Sequence, residues 1–368
     1  MENPSYNNKI KLSILNIIGE YEKNKAIGVD SYYAHELYHP MAEGKYLSTL
    51  AELFQKGFIS DSFYKARVNK AVLRLKNSNF IDEKNKACWG LGFSYKNTDD
   101  KEPFLITTSI IAKGLLDNYD FVDKELLKAV VNWLEDYKWI EQVNYNGSNL
   151  FLPHYSPNNK IVIYNAVSYW NHALEVAYAK GIARKPIEDI STWLLSKYID
   201  PVGWPYCENN TRVDLLHQFY IINSLLKDST EKKLEKYAQN IFHMFYEDGK
   251  VLDKVDIYNR DDAMALFIKN KNISILPVSS YYISRFAEEA RMWSYGELLS
   301  TLCYFSSRGE FKDYWHSVTK RVGLIIIEKY PFYKDDYISN RLYFRHNMHL
   351  IRGLSQFLAL RIKESADE

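Results

Sequence analysis

Apolar residues recur every three to four positions along most of this chain. The segment "KYLSTLAELFQKGF" (45–58) carries Leu47, Leu50, Leu53, Phe54 and Phe58 on one stripe. "SFYKARVNKAVLRLKN" (62–77) does the same with Val68, Ala71, Val72 and Leu75. This is the 3.6-residue period of an amphipathic helix. The same period runs through 126–140, 164–181, 186–199, 213–226, 231–246, 288–305, 311–330 and 345–362, with Gly181 placed as a helix C-cap. No sustained β alternation is evident. "KIVIYN" (160–165) and "NISILPVSS" (272–280) read as the only short strands. About a dozen helices of this length, with no linker rich in Pro, Ser or Gly, predict an all-α fold of repeated helical hairpins. A single domain is expected over 1–363, with a frayed tail over 364–368.

Between the helices lie long loops rich in aromatic and polar residues: 85–104, 144–160, 200–214 and 328–346. In a closed ring of hairpins such loops gather at one end and form the mouth of a funnel, where function usually lies. Thirty Tyr, 18 Phe and 8 Trp make the chain 15% aromatic. Tyr offers a flat apolar face and a polar tip, which suits a sugar ring with its C–H faces and hydroxyl edges. A biased use of Tyr, Asn, Lys and Ile is the alternative source of that content.

Charge narrows the partners. Lys and Arg number 47 against 46 Asp and Glu, so no general field draws the chain to nucleic acid or an anionic membrane. No stretch reaches the ~18–20 apolar residues of a membrane span. The N-terminal segment has no secretory pattern, which reads as a soluble, cytoplasmic protein. Cys88, Cys207 and Cys303 are odd in number and far apart, against a disulfide framework or Cys-based metal site.

Four segments resemble, in order and spacing over roughly 85–360, bacterial polysaccharide-biosynthesis proteins that include the VpsJ-like group. They are "ACWGLGFSYKN…PFLITTSIIAKGLLDNYD", "HYSPNNKIVIYNAVSYWNHALEVAY", "PVGWPYCENNTRVDLLHQFYIINSLL" and "FYKDDYISNRLYFRHNMHLIRGLSQFLAL". The chain departs from that pattern at Val202, at Pro205 and in "RHN" (345–347). The resemblance implies an (α/α)6-type toroid related to six-hairpin glycosidases, and work on a glycan or glycosylated carrier. Related toroids include glycoside hydrolases, polysaccharide lyases and sugar epimerases.

The candidate chemistry sits in the loops. Asp214 and His217 are three apart where a helix begins, so they share a face and suit an acid/base pair. The alternative is an Asp cap beside a core histidine. Glu208 offers a second carboxylate for glycoside chemistry, with Asp99, Asp100 and Glu102 in a neighbouring loop. His154 and Tyr155 form a Tyr–His set suited to a sugar carbon acid. Asn165, Arg212, Arg345 and His346 are candidates for holding a carboxylate, sulfate or phosphate. Trp89, Tyr95, Trp204 and Tyr206 are candidates for ring stacking. Glu289 and Trp293 share a helix face and offer a Glu beside an aromatic platform. "HELYH" (35–39) has the letters of a zinc-peptidase helix, but Pro40 opposes helix at His39 and no third ligand follows. No metal or cofactor is therefore expected. The competing reading is a non-catalytic helical-repeat protein that binds a glycan or a partner.

Overall fold

The computed structural model describes residues 4–30, 33–78, 85–95, 98–186, 189–227, 229–247, 249–258, 273–278, 281–286, 289–329 and 343–367. Among them, the helices in chain order are α1 (Pro4–Lys23), α2 (Pro40–Gln55), α3 (Asp61–Ser78), α4 (Leu105–Asp117), α5 (Lys124–Glu135), α6 (Tyr164–Ala179), α7 (Asp189–Ser196), α8 (Leu215–Leu225), α9 (Glu231–Phe245), α10 (Met292–Arg308), α11 (Lys312–Lys329) and α12 (Phe344–Asp367).

The even-numbered helices close a ring. Each packs on the next in the order α2, α4, α6, α8, α10, α12, and α12 returns to α2. The odd-numbered helices lie outside: α3 on α2, α5 on α4, α7 on α6, α9 on α8, α11 on α10 and α1 on α12. This is an (α/α)6 toroid. Composition sorts the two layers. In α4, "LITTSIIAKGLLD", only Lys113 and Asp117 escape burial, as an inner helix with neighbours all round requires. In α9, Leu234, Ala238, Ile241, Phe242 and Phe245 form one buried stripe and the lysines face water. One contiguous apolar core runs from Ile10 to Leu358.

Glycines set the closest approaches between inner helices. A Cβ on Gly114 would lie 2.3 Å from the carbonyl oxygen of Gly44, fixing α2 against α4. A Cβ on Gly353 would lie 2.4 Å from the carbonyl oxygen of Gly296, fixing α10 against α12. The side chain of any other residue would force these backbones apart.

Strands decorate the ring. They are β1 (Ile27–Asp30), β2 (Tyr33–Tyr38), β3 (Ile140–Tyr145), β4 (Ser148–Pro153), β5 (Arg212–Asp214), β6 (Tyr246–Glu247), β7 (Lys250–Val251), β8 (Lys254–Tyr258), β9 (Ile273–Val278) and β10 (Tyr281–Phe286). Strands β5, β8, β10 and β9 form an antiparallel sheet in that order.

Several expectations need correction. "KIVIYN" is not a strand: Ile163 makes one bridge to Cys207, and Tyr164 already opens α6. "HELYH" is not helical. His35 and Glu36 lie in β2, and His39 precedes α2, as Pro40 at the first helical position dictates. Helix α12 runs to Asp367, and Glu364 pairs with His316 at 2.8 Å. No helix among the described residues is long and apolar enough to cross a membrane.

Candidate active site

A cavity of about 500 Å³ opens at one end of the ring. Met41, Ile106, Asn165, Leu216, Trp293 and Arg345 all line it, and each is the second residue of its inner helix. The six inner helices therefore run parallel, with their N-termini turned to one point. Three of the four aromatic loops complete the wall. Leu91, Phe93 and Tyr95 come from the first, Tyr155 from the second, and Tyr206, Asn210, Thr211 and Arg212 from the third. Residues 330–342 of the fourth loop, including Asp335, Asp336 and Arg341, lie outside the described residues, as does Glu288.

The next layer down each helix forms the floor. Four residues beyond the ring lie Lys45, Ile110, Tyr169, Tyr220, Glu297 and His349. Lys45 Nζ donates to Glu297 Oε1 and to Tyr169 Oη, both at 2.5 Å. It also lies 4.7 Å from the Tyr220 ring centre. Burial pushes the Lys45 ammonium down to about 8, against the upward pull of Glu297. His349 Nδ1 lies 2.6 Å from the Arg345 carbonyl oxygen. A carbonyl only accepts, so Nδ1 carries the proton. Nε2 is then the acceptor for the Tyr220 hydroxyl, with which it shares a short hydrogen bond. Burial lowers the His349 pKa well below the usual imidazole range, so this ring stays neutral.

Strand β5 feeds directly into α8 and positions the acid/base candidates. Alternation along β5 and β8 sends Val213 and Val255 into the core, while Arg212, Asp214 and Asp256 face the cavity. Arg212 sits opposite Asp256, with Nε 3.5 Å from Oδ1. Asp214 caps α8: its Oδ1 accepts from the Leu216 N–H at 3.1 Å. His217 Nδ1 lies 3.9 Å from the same oxygen and has no hydrogen-bond partner. The cap thus also stands in the cavity wall, with His217 beside it. Behind it, burial and the Asp214 charge push the Asp253 carboxyl up, while Arg291 pulls it down.

On the opposite wall, Arg345 Nη2 holds Asp30 at 2.8 and 3.1 Å, and His39 Nε2 lies 3.0 Å from Asp30. The Arg345 guanidinium lies 4.5 Å from the Trp293 ring centre. Glu289 accepts from the Tyr295 hydroxyl at 2.9 Å and does not line the cavity.

The candidates divide clearly. Asp214, His217, Tyr155, Tyr95, Asn165, Tyr206, Arg212 and Arg345 line the cavity. Trp89 and Trp204 do not: both are 0% exposed, and their indole N–H groups donate to the carbonyls of Leu75 and Leu194. They hold loops in place from below and have no face for a sugar. Trp204 is gripped further by Gln218, whose Oε1 accepts from its backbone N–H and whose Nε2 donates to its carbonyl. Glu208 is 64% exposed on the outer surface, bonded to Lys197 and Tyr164. His154 lies beside Glu141 on the β3–β4 hairpin. His346 is buried behind Trp293, stacked on Tyr343. In the neighbouring loop, Glu102 accepts from Ser156 and Asn158, and Asp99 closes a turn. No group of three His, Cys, Asp or Glu side chains among the described residues is placed to hold a metal.

Sequence reasoning overlooked Tyr220 and Asp256. Tyr220 lies three residues after His217 on α8, so the helical spacing held the signal. Asp256 sits in "KVDIY", whose alternation marks a half-buried strand.

No protein-family model and no curated protein matches the chain by sequence. Solved structures match its shape. A sugar epimerase from a ruminal bacterium aligns at a TM-score of 0.63 and 14% identity, over 96% of this chain and 98% of that one. A GH76 α-mannanase from Bacteroides thetaiotaomicron aligns at 0.59 and 9%, over 98% and 97%. PssZ from Listeria monocytogenes aligns at 0.56 and 13%, over 92% and 94%. The chain shares with these proteins the (α/α)6 toroid of the six-hairpin glycosidase-like folds.

Proposed function

We propose that this protein is a cytoplasmic carbohydrate-active enzyme of surface-polysaccharide biosynthesis, acting by acid/base chemistry on a glycan or glycosylated carrier. The observation that carries the reading is the placement of His217 and Asp214 in the wall of an aromatic-lined cavity of sugar size. Structural neighbours described as a sugar epimerase, a cellobiose 2-epimerase, a D-mannose isomerase and an α-mannanase support a sugar substrate. The ordered motifs shared with the VpsJ-like group support the biosynthetic setting.

In this reading His217 moves the proton through Nε2, because its ring lines the cavity while Nδ1 is buried beside Asp214. Asp214 stabilises the imidazolium that forms, at the cost of sharing its oxygen with the α8 amide. Tyr155 serves on the facing loop. Tyr206 supplies a ring face, the role that Trp89 and Trp204 cannot fill.

His217→Ala and Asp214→Asn are expected to lower turnover by about 10²–10⁴-fold while glycan binding persists. Full activity in both variants would sink the assignment. Incubation in D2O, followed by NMR, separates the chemistries. Epimerisation through a deprotonated carbon puts deuterium on that carbon, elimination leaves a carbon–carbon double bond with new vinyl resonances, and hydrolysis does neither. One observation favours a binding protein instead: Asp214 is already engaged as a helix cap and stands 3.9 Å from His217. Binding without turnover by the wild type would establish that alternative.

A further inference from the structure

The charge around the cavity identifies the class of sugar, given the reading above. Each inner helix turns its N-terminus to the cavity, and each such end acts as about half a positive charge. Elsewhere in the chain an acid answers that field: α5 opens on Asp123, whose carboxylate accepts from the Glu125 N–H, with Glu125 in its first turn. Among the described residues α2, through Glu43, and α8, through Asp214, have such an acid at the cavity, and Asp253 meets α10 by accepting from the Arg291 N–H and the Ser294 hydroxyl. Helices α4 and α6 start after Phe104 and Ile163, with no side-chain cap and no acid in the first turn. Helix α12 also lacks an acid there. The leading amides of α4 and α6 go to the carbonyls of Tyr155 and Tyr206, which carry no net charge. The ionised side chains nearly cancel: Arg345 faces Asp30, Arg212 faces Asp256 and Arg291 faces Asp253. Among the described residues three helix ends without an acid, those of α4, α6 and α12, leave about one and a half positive charges, against the single charge of Asp214 over the α8 end.

A second observation is independent of the helices. Trp293 is 7% exposed, lines the cavity, and its indole N–H has no acceptor. The indoles of Trp89, Trp170, Trp204 and Trp315 each donate to a carbonyl or carboxylate oxygen. Among the described residues, Trp293 Nε1 is the indole nitrogen sealed from solvent without an acceptor. Its ring lies between two cations, with Arg345 at 4.5 Å and Arg291 at 4.7 Å. Across the cavity, Asn165 is 4% exposed and its Oδ1 has no donor. A ligand bearing both an anionic acceptor and hydroxyl donors answers both groups.

We propose that the substrate is an acidic sugar, whose carboxylate or phosphate is held at the Trp293–Arg345 wall by the N-terminal end of α12. The anion receives the Trp293 N–H, and a hydroxyl of the same ring donates to Asn165.

Calorimetric titration tests this with hexuronates and hexose phosphates, each set against its neutral parent hexose. At least one acidic sugar is expected to bind ten times or more tighter than its parent, and to weaken as NaCl rises from 50 to 500 mM. Which arm binds tells carboxylate from phosphate. Trp293→Phe keeps the ring, removes the N–H and is expected to cost about tenfold in affinity for the acidic sugar alone. Equal or tighter binding of the neutral parents, no binding of any acidic sugar at millimolar concentration, or an unchanged Trp293→Phe variant would each overturn the proposal. Failure of the enzymatic reading looks different: acidic sugars would bind, and nothing would turn over.

Discussion

Replacing Glu297 by Gln removes one charge from the floor of the barrel and leaves the shape intact. Lys45 and Glu297 are 2% and 1% exposed, so neither has water to fall back on. Breaking such a pair from one side costs about 3–5 kcal/mol. The chemistry of lysine bounds the upper end. Without Glu297, the upward pull on Lys45 is gone, and burial with the Arg352 charge carries its pKa below the wild-type value of about 8. Taking a lysine from its unfolded pKa of about 10.4 to neutral at pH 7 costs about 4.6 kcal/mol, at 1.36 kcal/mol per unit. The folded pKa lies below the unfolded one, so the unfolded state binds more protons and stability rises with pH in the gap. In the wild type that rise begins near pH 8. In the variant it begins at lower pH. The difference between the two proteins is therefore expected to shrink as pH rises towards 8, by at most about 1.4 kcal/mol per pH unit, and then to level off. For 368 residues, an unfolding entropy of about 0.8 kcal/mol/K makes the pH 7 penalty a fall of about 4–6 °C in Tm. Scanning calorimetry of both proteins at pH 7, 8 and 9 reads both quantities. A penalty under 1 kcal/mol, or one that stays constant across this range, refutes the account of Lys45 as a buried cation held by Glu297.

Other perturbations follow from the same packing. Gly353→Ala improves helix propensity by about 1 kcal/mol, yet its methyl would meet the Gly296 carbonyl at 2.4 Å. A net loss of stability in a urea melt is expected, and a gain would show that α10 and α12 are not locked there. Acid is expected to destabilise the fold early. Burial lowers His39 to about 4, below its unfolded pKa, so the unfolded state binds more protons between pH 6.5 and 4. Stability that is full above pH 6.5 is lost progressively down to pH 4, by about 3 kcal/mol from this residue, and urea midpoints across that range report it. Gln218→Ala releases both ends of the grip on Trp204 and is expected to cost about 1–3 kcal/mol, with a change in near-UV circular dichroism. Trp89→Phe is expected to destabilise by about 1–2 kcal/mol through its lost N–H bond and to leave glycan affinity unchanged.

The helices were legible because burial writes its period into the chain. Segments 45–58, 164–181 and 231–246 became α2, α6 and α9 with ends shifted by a few residues. The β3–β4 hairpin was missed although "NG" at 146–147 is a strong turn signal; both residues take the positive φ that such a turn needs. Its outward Phe151 and inward Leu150 and Leu152 blurred into an apolar run. The cavity-lining candidates at Asp214, His217, Arg212 and Asn165 lay where a loop meets an inner helix, a place that order along the chain reveals. The buried tryptophans could not be sorted this way. Whether a turn aims an indole outward or into the floor depends on partners such as Leu194 and Gln218, which only the folded ring brings near. Asp30 and Arg345 meet across 315 positions of sequence, beyond the reach of any local pattern.

The outermost hairpin of the ring joins α1 to α12. Arg361 donates to Asn7 at 2.8 Å, a contact between residues 354 positions apart. On α1, Ile10, Ile14, Ile17, Ile18 and Tyr21 are buried almost completely, and α12 is the inner helix on which α1 packs. During synthesis α1 leaves the ribosome long before its partner, which begins roughly 320 residues later. At about 5–20 residues per second, this greasy stripe waits tens of seconds for its cover. Nascent chains of this protein should therefore engage chaperones through α1, and release them only once residues beyond 344 have emerged.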